Sequence, residues 1–398
     1  MFSATASIFL ALTAVAAVLH RLGVWATFRH TKLRAEHASE PAVWPALTLL
    51  KPIKGLEEQL EQNLRSFCGQ SYPGPLQIVF ASTDPLDPGL ALARRIVSQY
   101  PNLRDVQFVI SDPSFGMNPK VANLAGALRA ARHDLVLQTD ANVRIRSGYL
   151  RAVVAEFQRE QAAMLGSLIA GTGERSLGAV LDNIQLTTFT TPGICLASEV
   201  ADIQCVIGKS MLFRRSELNA LGGLALVKDV LAEDFVLGQA YQAAGKKVVL
   251  SRLTVENVNI DTPLPRFLSR HSRWLKMRVV IHVGGFVADL LSNATFFALM
   301  ATLFTGFDPR VLLTAAAVIA HKTWLDSRIL TRLRGMPMAP LHVLCIPLRD
   351  VTLPLVWVYA LFSRTTEWRG ERFRLGTGSV LTPVGHSVRP PAAEARPR

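Results

Sequence analysis

Paired cysteines are missing from this sequence of 398 residues. Its four cysteines are scattered, with no CxxC pair and no spacing typical of a zinc site. They are Cys68, Cys195, Cys205 and Cys345. This pattern excludes a disulfide-rich scaffold and a zinc ribbon, and it is typical of a reduced chain that faces the cytosol.

Charged residues are also scarce, at 18%, whereas hydrophobic residues make up 49% of the chain. We therefore expect part of the chain to face lipid. Among the charged residues the acidic ones are the minority, 30 against 43 lysines and arginines, which gives a net charge of +13. Aromatic residues, which nucleic-acid sites interleave with basic ones, reach only 8%. The composition thus favours a membrane over a nucleic acid as the partner.

The positions of the basic residues support the same conclusion. They cluster at the ends of apolar runs, as the positive-inside pattern of membrane proteins requires. The clusters are Arg21, Arg29, Lys32 and Arg34; Arg270, Arg273, Lys276 and Arg278; and Arg364, Arg369, Arg372 and Arg374.

The first apolar run predicts a transmembrane anchor over residues 1–28. A cleaved signal peptide is the alternative, but the run lacks a positive segment before it and its charges follow it. After Arg278 the stretch 279–307 is long enough to span a membrane. The runs 311–320 and 341–362 fit either spanning or re-entrant segments, since the first is short and the second contains prolines and the pair Arg349-Asp350.

Between these apolar regions, strand-like and helix-like segments alternate. Short runs rich in Leu, Val and Ile occupy 46–52, 76–82, 105–111 and 133–140, with helical patterns at 56–68, 88–100 and 119–132. This alternation predicts an α/β domain with a parallel sheet. Ligands of such folds bind beyond the carboxyl ends of the strands. Asp84, Asp87 and Asp140 should therefore lie at one rim.

Each of these carboxylates also has a structural interpretation. Asp140 in "LVLQTDAN" could hold Mg²⁺ or Mn²⁺ with Asn142 nearby, or it could simply cap the next turn. Asp84 and Asp87 in "STDPLDPG" could bind a nucleoside, but Asp-Pro is also ordinary turn chemistry.

Two helix starts carry further candidates. Glu233-Asp234 could provide a general base or could merely stabilise the dipole of the helix that they begin. Asn118-Pro119-Lys120 has a capping pattern, and its lysine could also contact a phosphate.

The order of these motifs is more specific than any one of them. "LLKPIKG", Asp87, "GMNPKVANL", "QTDAN", "AED" and Arg270-His-Ser-Arg273-Trp274 precede the apolar segments. This series resembles the membrane-bound inverting glycosyltransferases with the D, D, D, (Q/R)xxRW signature, and most of all the ceramide glucosyltransferase family, glycosyltransferase family 21. "CVIGKSMLFRRSEL", the "RD" at 349–350 and "WRGERFRL" extend the resemblance. One departure is that Thr191-Pro192 stand where family members carry a histidine, about fourteen residues before the cysteine that Cys205 matches.

The resemblance implies a GT-A-type (Rossmann-like) nucleotide-sugar domain and a role for each matched residue. Asp87 would contact the nucleotide, Asp140 would act on the diphosphate through the divalent cation, and Asp234 would be the catalytic base. Cys205 would lie close to the nucleotide site. Arg270, Arg273 and Trp274 would lie near the diphosphate and the acceptor, whereas Lys276 and Arg278 also fit a basic membrane flank.

The sequence therefore predicts an integral membrane protein in four parts. These are an anchor (1–28), a cytoplasmic GT-A domain (44–276), a C-terminal membrane region (277–365) and a partly disordered basic tail (366–398). The resemblance implies that the protein moves glucose from UDP-glucose to the hydroxyl of a lipid, with ceramide as the leading acceptor. The reaction would take place at the cytoplasmic face of a bacterial inner membrane or its equivalent. A hopanoid-type lipid is the alternative acceptor. A processive polysaccharide synthase and a basic membrane-anchored binding protein are less favoured.

Overall fold

The computed structural model describes residues 2–32, 40–368 and 371–384. Its centre is an eight-stranded sheet with the strand order β3-β2-β1-β4-β7-β6-β8-β5. The strands are β1 (Leu47–Pro52), β2 (Leu76–Ser82), β3 (Asp105–Ile110), β4 (Leu135–Thr139), β5 (Val143–Arg144), β6 (Met164–Thr172), β7 (Ser210–Arg214) and β8 (Val248–Val258). The first four are parallel, β7 lies antiparallel between β4 and β6, and β5 lies antiparallel to β8. The predicted α/β architecture is thus confirmed.

Helices cover both faces of this sheet. They are α2 (Leu60–Cys68), α3 (Pro88–Val97), α4 (Pro119–Arg129), α5 (Tyr149–Arg159), α6 (Leu177–Gln185), α7 (Thr191–Ala201), α8 (Arg215–Ala220) and α9 (Glu233–Ala243), with a π-helical turn (Leu186–Thr190) between α6 and α7. Successive residues of a strand point to opposite faces, so Leu49 and Leu50 enter different core clusters. This two-sided burial explains why β1, β2 and β4 are nearly continuous apolar runs, whereas β3 at the sheet edge is half-buried.

Within the part of the chain that the structure describes, two helices are long and apolar enough to cross a membrane: α1 (Ala4–His30) and the segment Pro340–Phe362. The second segment contains α14 (Pro340–Val343) and α15 (Ile346–Phe362). The apolar stretch 279–307 is broken, because α11 (Val283–Leu291) and α12 (Ala294–Phe304) meet at a 58° bend, and together they could form a third span. The run 311–320 lies within α13 (Pro309–Arg334), which continues into a charged half.

Buried ion pairs join the helices of this membrane region. Asp326 of α13 pairs with His20 of α1 at 2.8 Å and with Lys322 at 2.7 Å. Lys322 also lies 2.9 Å from Asp350 of α15, whose neighbour Arg349 donates to side chains of α6 and the π-helical turn. Charges in an apolar environment must find such partners. The "RD" pair therefore connects α15 to α13 and to the helices that pack on the central sheet.

The chain after α15 forms a second, antiparallel sheet of three strands in the order β11-β10-β9. The strands are β9 (Thr365–Trp368), β10 (Glu371–Leu375) and β11 (Leu381–Pro383), with a 3₁₀ turn, Thr377–Ser379, before β11. This part of the predicted basic tail is therefore folded. We predicted disorder for the stretch 387–398, which lies outside the described residues. The predicted division at 276–277 falls inside α10 (Leu264–Ile281).

Lys276 of α10 is buried and donates to the Thr365 carbonyl at 2.7 Å. Arg278 pairs with Asp289 of α11. Lys276 is thus held inside the fold and Arg278 is half-exposed, and their role as a basic membrane flank remains a prediction.

Candidate active site

Asp140 lies directly after β4, at the rim where ligands of α/β folds bind. Its Oδ1 is 2.9 Å from Lys120 Nζ, and its Oδ2 is 2.9 Å from Lys209 Nζ. Burial would raise the pKa of this carboxyl, but the two ammonium groups together lower it well below its usual range. Asp140 is therefore an ionised carboxylate held between two lysines.

Lys120 connects Asp140 to the second acidic group of the site. Its Nζ lies 2.8 Å from Glu233 Oε1 and donates to the Gly208 carbonyl at 2.9 Å. Burial opposes its charge, yet Asp140, Glu233 and Asp234 raise its pKa above the usual value. The predicted cap is present too, because Asn118 Oδ1 accepts from the backbone N–H of Lys120.

Glu233 and Asp234 begin α9, as the sequence predicted. Asp234 Oδ2 accepts from the Gly208 N–H at 2.5 Å, and its Oδ1 accepts from the Phe235 N–H at 2.8 Å. The pKa of Glu233 is raised, first by burial, against the opposing effect of Lys120 and with a contribution from Asp234. Lys120 thus contacts Asp140 and Glu233 directly, and Asp234 acts on its charge from the other side of Gly208.

Gly208 is the backbone link between these groups. Its N–H donates to Asp234 and its carbonyl accepts from Lys120. A Cβ at this position would lie 2.9 Å from both Asp234 Oδ2 and Lys120 Nζ, so only glycine allows this close approach. Gly208 and Lys209 were not predicted as site residues, and their only signal was the motif "CVIGKSMLFRR".

Asn142 and Lys51 complete the surroundings of Asp140. Lys209 Nζ donates to Asn142 Oδ1 at 2.9 Å. Lys51, at the end of β1, is fully buried and donates to the Asp140 carbonyl at 2.6 Å. Burial lowers the pKa of Lys51 well below its usual value. The "LLKP" motif thus fixes the backbone that presents Asp140.

A divalent cation fits the chemistry of Asp140. Its buried Oδ1 has an ionic contact to Lys120 but no hydrogen bond. Carboxylate oxygen is a ligand that Mg²⁺ and Mn²⁺ prefer, and Mg²⁺ needs only one or two protein oxygens beside substrate phosphates. Among residues 2–32, 40–368 and 371–384, no group of three or more His, Cys, Asp or Glu side chains is arranged as a metal site. Asp140 would therefore share the ion with the substrate.

Asp87 is the N-cap of α3 and is almost completely buried. Its carboxylate accepts from the N–H groups of Gly89 and Gly55, at 2.8 and 2.9 Å, and from the Ser82 hydroxyl at 2.8 Å. The turn chemistry that we considered is thus present. Asp87 joins the loops after β1 and β2, and its contact with a nucleotide remains a prediction.

Arg270 lies on α10 and forms an ion pair with the buried Asp182 of α6. His271 contacts the other oxygen of Asp182 at 2.8 Å. Burial would raise the pKa of Asp182, but Arg270 and His271 lower it below the usual value. Asp182 therefore orients the arginine, and nothing in the local sequence indicated this role.

Trp274, Arg273 and Cys205 occupy less polar surroundings. Trp274 packs against the larger core cluster and lies edge-on to His271 at 5.6 Å, whereas Arg273 is half-buried beside it on α10. Burial raises the pKa of the half-buried Cys205 thiol, Arg278 opposes this increase, and Asp234 adds a smaller one. Cys205 therefore lies within electrostatic reach of both Arg278 and Asp234.

The chain is similar to known proteins in sequence. Residues 8–381 match the family described as Glycosyl transferase family 21. Ceramide glucosyltransferase 1 of Caenorhabditis elegans is 25% identical over 375 residues, covering 92% of this chain and 79% of the relative. Ceramide glucosyltransferase 3 of the same organism is 24% identical over 363 residues, covering 89% and 78%.

A solved structure supports the fold independently. A mannosyltransferase from Pyrobaculum calidifontis in complex with GDP-Man and Mn²⁺ superimposes with a TM-score of 0.51 at 18% identity, covering 90% of this chain and 96% of that one. The GT-A-type fold and the family resemblance are thus both confirmed. Since the family match extends over nearly the whole chain, the protein is a glycosyltransferase that belongs to glycosyl transferase family 21.

Proposed function

We propose that this enzyme transfers glucose from UDP-glucose to the hydroxyl of ceramide, with inversion, to form a β-glucosyl lipid. The observation that carries the proposal is the contact of Asp140, Lys120, Glu233 and Asp234 around Gly208. This arrangement supports Asp234 as the base and Asp140 as part of a nearby diphosphate site. The two ceramide glucosyltransferases from C. elegans support the choice of donor sugar and acceptor.

Asp234 acts as the base that takes the proton from the acceptor hydroxyl as it attacks the anomeric carbon. One displacement by one nucleophile inverts that centre, so an α-linked donor yields a β-glycoside. Gly208 orients one oxygen of Asp234 through its N–H. Lys120 stabilises the negative charge that Asp140, Glu233 and Asp234 place in the site.

Asp140 would hold a divalent cation, which when bound neutralises charge on the leaving diphosphate. The Mn²⁺ in the mannosyltransferase complex supports this choice of cofactor. Lys209, whose Nζ lies 2.9 Å from Asp140 Oδ2, would contact a phosphate oxygen of the donor. Arg270 and Arg273 lie on α10 and would contact the diphosphate, while Asp87 and Cys205 would lie near the nucleotide.

The membrane helices serve the lipid acceptor. The RxxRW element and the last candidate span are adjacent, because α10 contacts the chain directly after α15 through Lys276. The lipid hydroxyl can therefore enter from the membrane while the nucleotide sugar enters from water. The basic residues in the second half of α1 and just after it support a cytoplasmic catalytic domain.

The test is an acceptor panel with the purified full chain in lipid nanodiscs. UDP-glucose and UDP-GlcNAc would each be offered with ceramide and with a hopanoid, and products would be identified by mass spectrometry and NMR. We expect β-glucosylceramide. A glucosylated hopanoid without glucosylceramide would refute ceramide as the acceptor, and product from UDP-GlcNAc alone would refute glucose.

A further inference from the structure

The segment that leads into α9 is paired with the C-terminal sheet. The Leu231 N–H donates to the Ser379 carbonyl at 3.0 Å, and the Leu381 N–H donates to the Asp229 carbonyl at 2.8 Å. Val230 and Val380 form an antiparallel bridge between them. Residues 379–381 thus form a short strand pair with the residues just before Glu233 and Asp234.

Ser379 supplies a hydrogen bond that α9 cannot make for itself. The N-cap residue of α9 is Ala232 and the residue at N3 is Phe235, so the helix has no N3 side chain that could accept from the Ala232 N–H, as in a capping box. The backbone N–H of Ala232 donates instead to Ser379 Oγ at 3.1 Å, and both residues are buried. Ser379 has a φ of 61°, which lies in the left-handed region. Residues other than glycine seldom adopt this conformation unless the surrounding structure stabilises it.

The opposite edge of the same segment is held by the "GMNPK" motif. Asn118 donates from its backbone to the Lys228 carbonyl at 2.8 Å and from its side chain to the Val230 carbonyl at 2.7 Å. Asn118 also caps α4, which carries Lys120. Residues 228–232 are therefore fixed between the loop that places Lys120 and the C-terminal sheet.

Apolar packing connects the C-terminal sheet to α10. Leu231 forms a buried cluster with Phe373, Leu375 and Leu381, and Met277 of α10 packs against it. The sheet also follows α15 directly. One small sheet therefore contacts the segment before the base and the helix of the RxxRW element, and it is joined to the last candidate span.

We propose that Ser379 is a positioning residue and that the C-terminal sheet sets the place of the catalytic base relative to the membrane. Ser379 fixes the start of α9, so that Asp234 stays aimed at the acceptor hydroxyl. This inference rests on the proposed function, in which Asp234 is the base. The C-terminal sheet would thus have a role in catalysis although none of its residues takes part in the proposed chemistry directly.

The test compares Ser379→Gly and Ser379→Ala in the full chain in nanodiscs. Ser379→Gly removes the hydroxyl while allowing the left-handed conformation, so it isolates the hydrogen bond. Ser379→Ala removes the hydroxyl and keeps the backbone constraint. Thr382→Ala, an exposed change in β11, is the matched control. For both Ser379 variants we expect kcat to fall about tenfold, with KM for UDP-glucose and calorimetric affinity for UDP within about twofold of wild type.

Asp234→Asn separates failure of this inference from failure of the proposed function. If Asp234→Asn is inactive while both Ser379 variants keep the wild-type kcat, the positioning role is wrong and the base stands. If kcat and UDP affinity fall together with the melting temperature, Ser379 is only structural and the inference is overturned. If Asp234→Asn keeps full activity, the proposed base itself is wrong.

Discussion

Gly208→Ala should impair catalysis without unfolding the protein. The new Cβ would lie 2.9 Å from Asp234 Oδ2 and from Lys120 Nζ. Ordinary contact begins at about 3.5 Å, so each group must retreat by about half an ångström or more. Displacement of a reacting group by about 1 Å costs about 10²-fold in rate. We therefore expect kcat to fall about 10- to 100-fold, or about 1.4 to 2.7 kcal/mol of transition-state stabilisation.

The assay is steady-state transfer of labelled glucose to ceramide, with the melting temperature measured in parallel. Gly193→Ala in α7 is the matched control, because a Cβ there meets no atom within 4 Å. A Gly208→Ala enzyme with wild-type kcat would show that the close approach of Asp234 and Lys120 is irrelevant to transfer. A fall of similar size in Gly193→Ala would show that the effect is not local.

Three further predictions concern charge and metal. Lys120→Met leaves Asp140 and Glu233 without their shared ammonium group and should lower the free energy of unfolding by about 3–5 kcal/mol; an unchanged urea midpoint would contradict this. Asp182 has a lowered pKa in the folded state, so its contribution to stability is present above about pH 4 and is lost as the pH falls through the folded pKa. The difference in melting temperature between wild type and Asp182→Asn should therefore shrink from pH 7 towards pH 3, and a constant difference would refute the assignment. EDTA should abolish transfer and Mn²⁺ or Mg²⁺ should restore it, with a higher half-maximal metal concentration in Asp140→Asn; full activity in EDTA would rule out the cation.

Local sequence patterns predicted the parallel strands of the sheet and the positions of Asp140 and of the acidic pair at the start of α9. The apolar runs ending at Pro52, Ser82 and Thr139 are buried strands, and Asp140 lies at the rim where strand direction requires it. The start of α9 at Glu233 was predictable from its acidic pair. In contrast, α2 begins at Leu60 rather than 56, because Gln59 adopts a left-handed conformation that no local pattern signalled.

Contacts between distant parts of the chain could not be predicted. Arg270 meets Asp182 across 88 residues, and His20 meets Asp326 across 306. Lys209 reaches Asp140 only because β7 inserts antiparallel beside β4, a topology that the alternation of strands and helices does not reveal. The partners of the site depend on tertiary packing rather than on neighbouring sequence.

The C-terminal sheet is a case where a local signal existed and was missed. In "RFRL", Phe373 and Leu375 are buried while Arg372 and Arg374 are exposed, which is the period-two pattern of a half-buried strand. Because Arg372 and Arg374 also fit a basic cluster at the end of an apolar run, the sequence was interpreted by its charge and not by this alternation. Its pairing with residues 229–231 became visible only in the folded chain.

The central claim, that Asp234 is the base of a glucosyl transfer, is tested most directly by Asp234→Asn. Asp105→Asn is the matched control. Asp105 is the first residue of β3, so it lies at the amino ends of the parallel strands, whereas Asp140 lies at their carboxyl ends. With ceramide and UDP-glucose, we predict that kcat of Asp234→Asn falls about 10²- to 10⁴-fold while UDP affinity and melting temperature match the control. A folded Asp234→Asn enzyme that forms glucosylceramide at the wild-type rate would contradict the account.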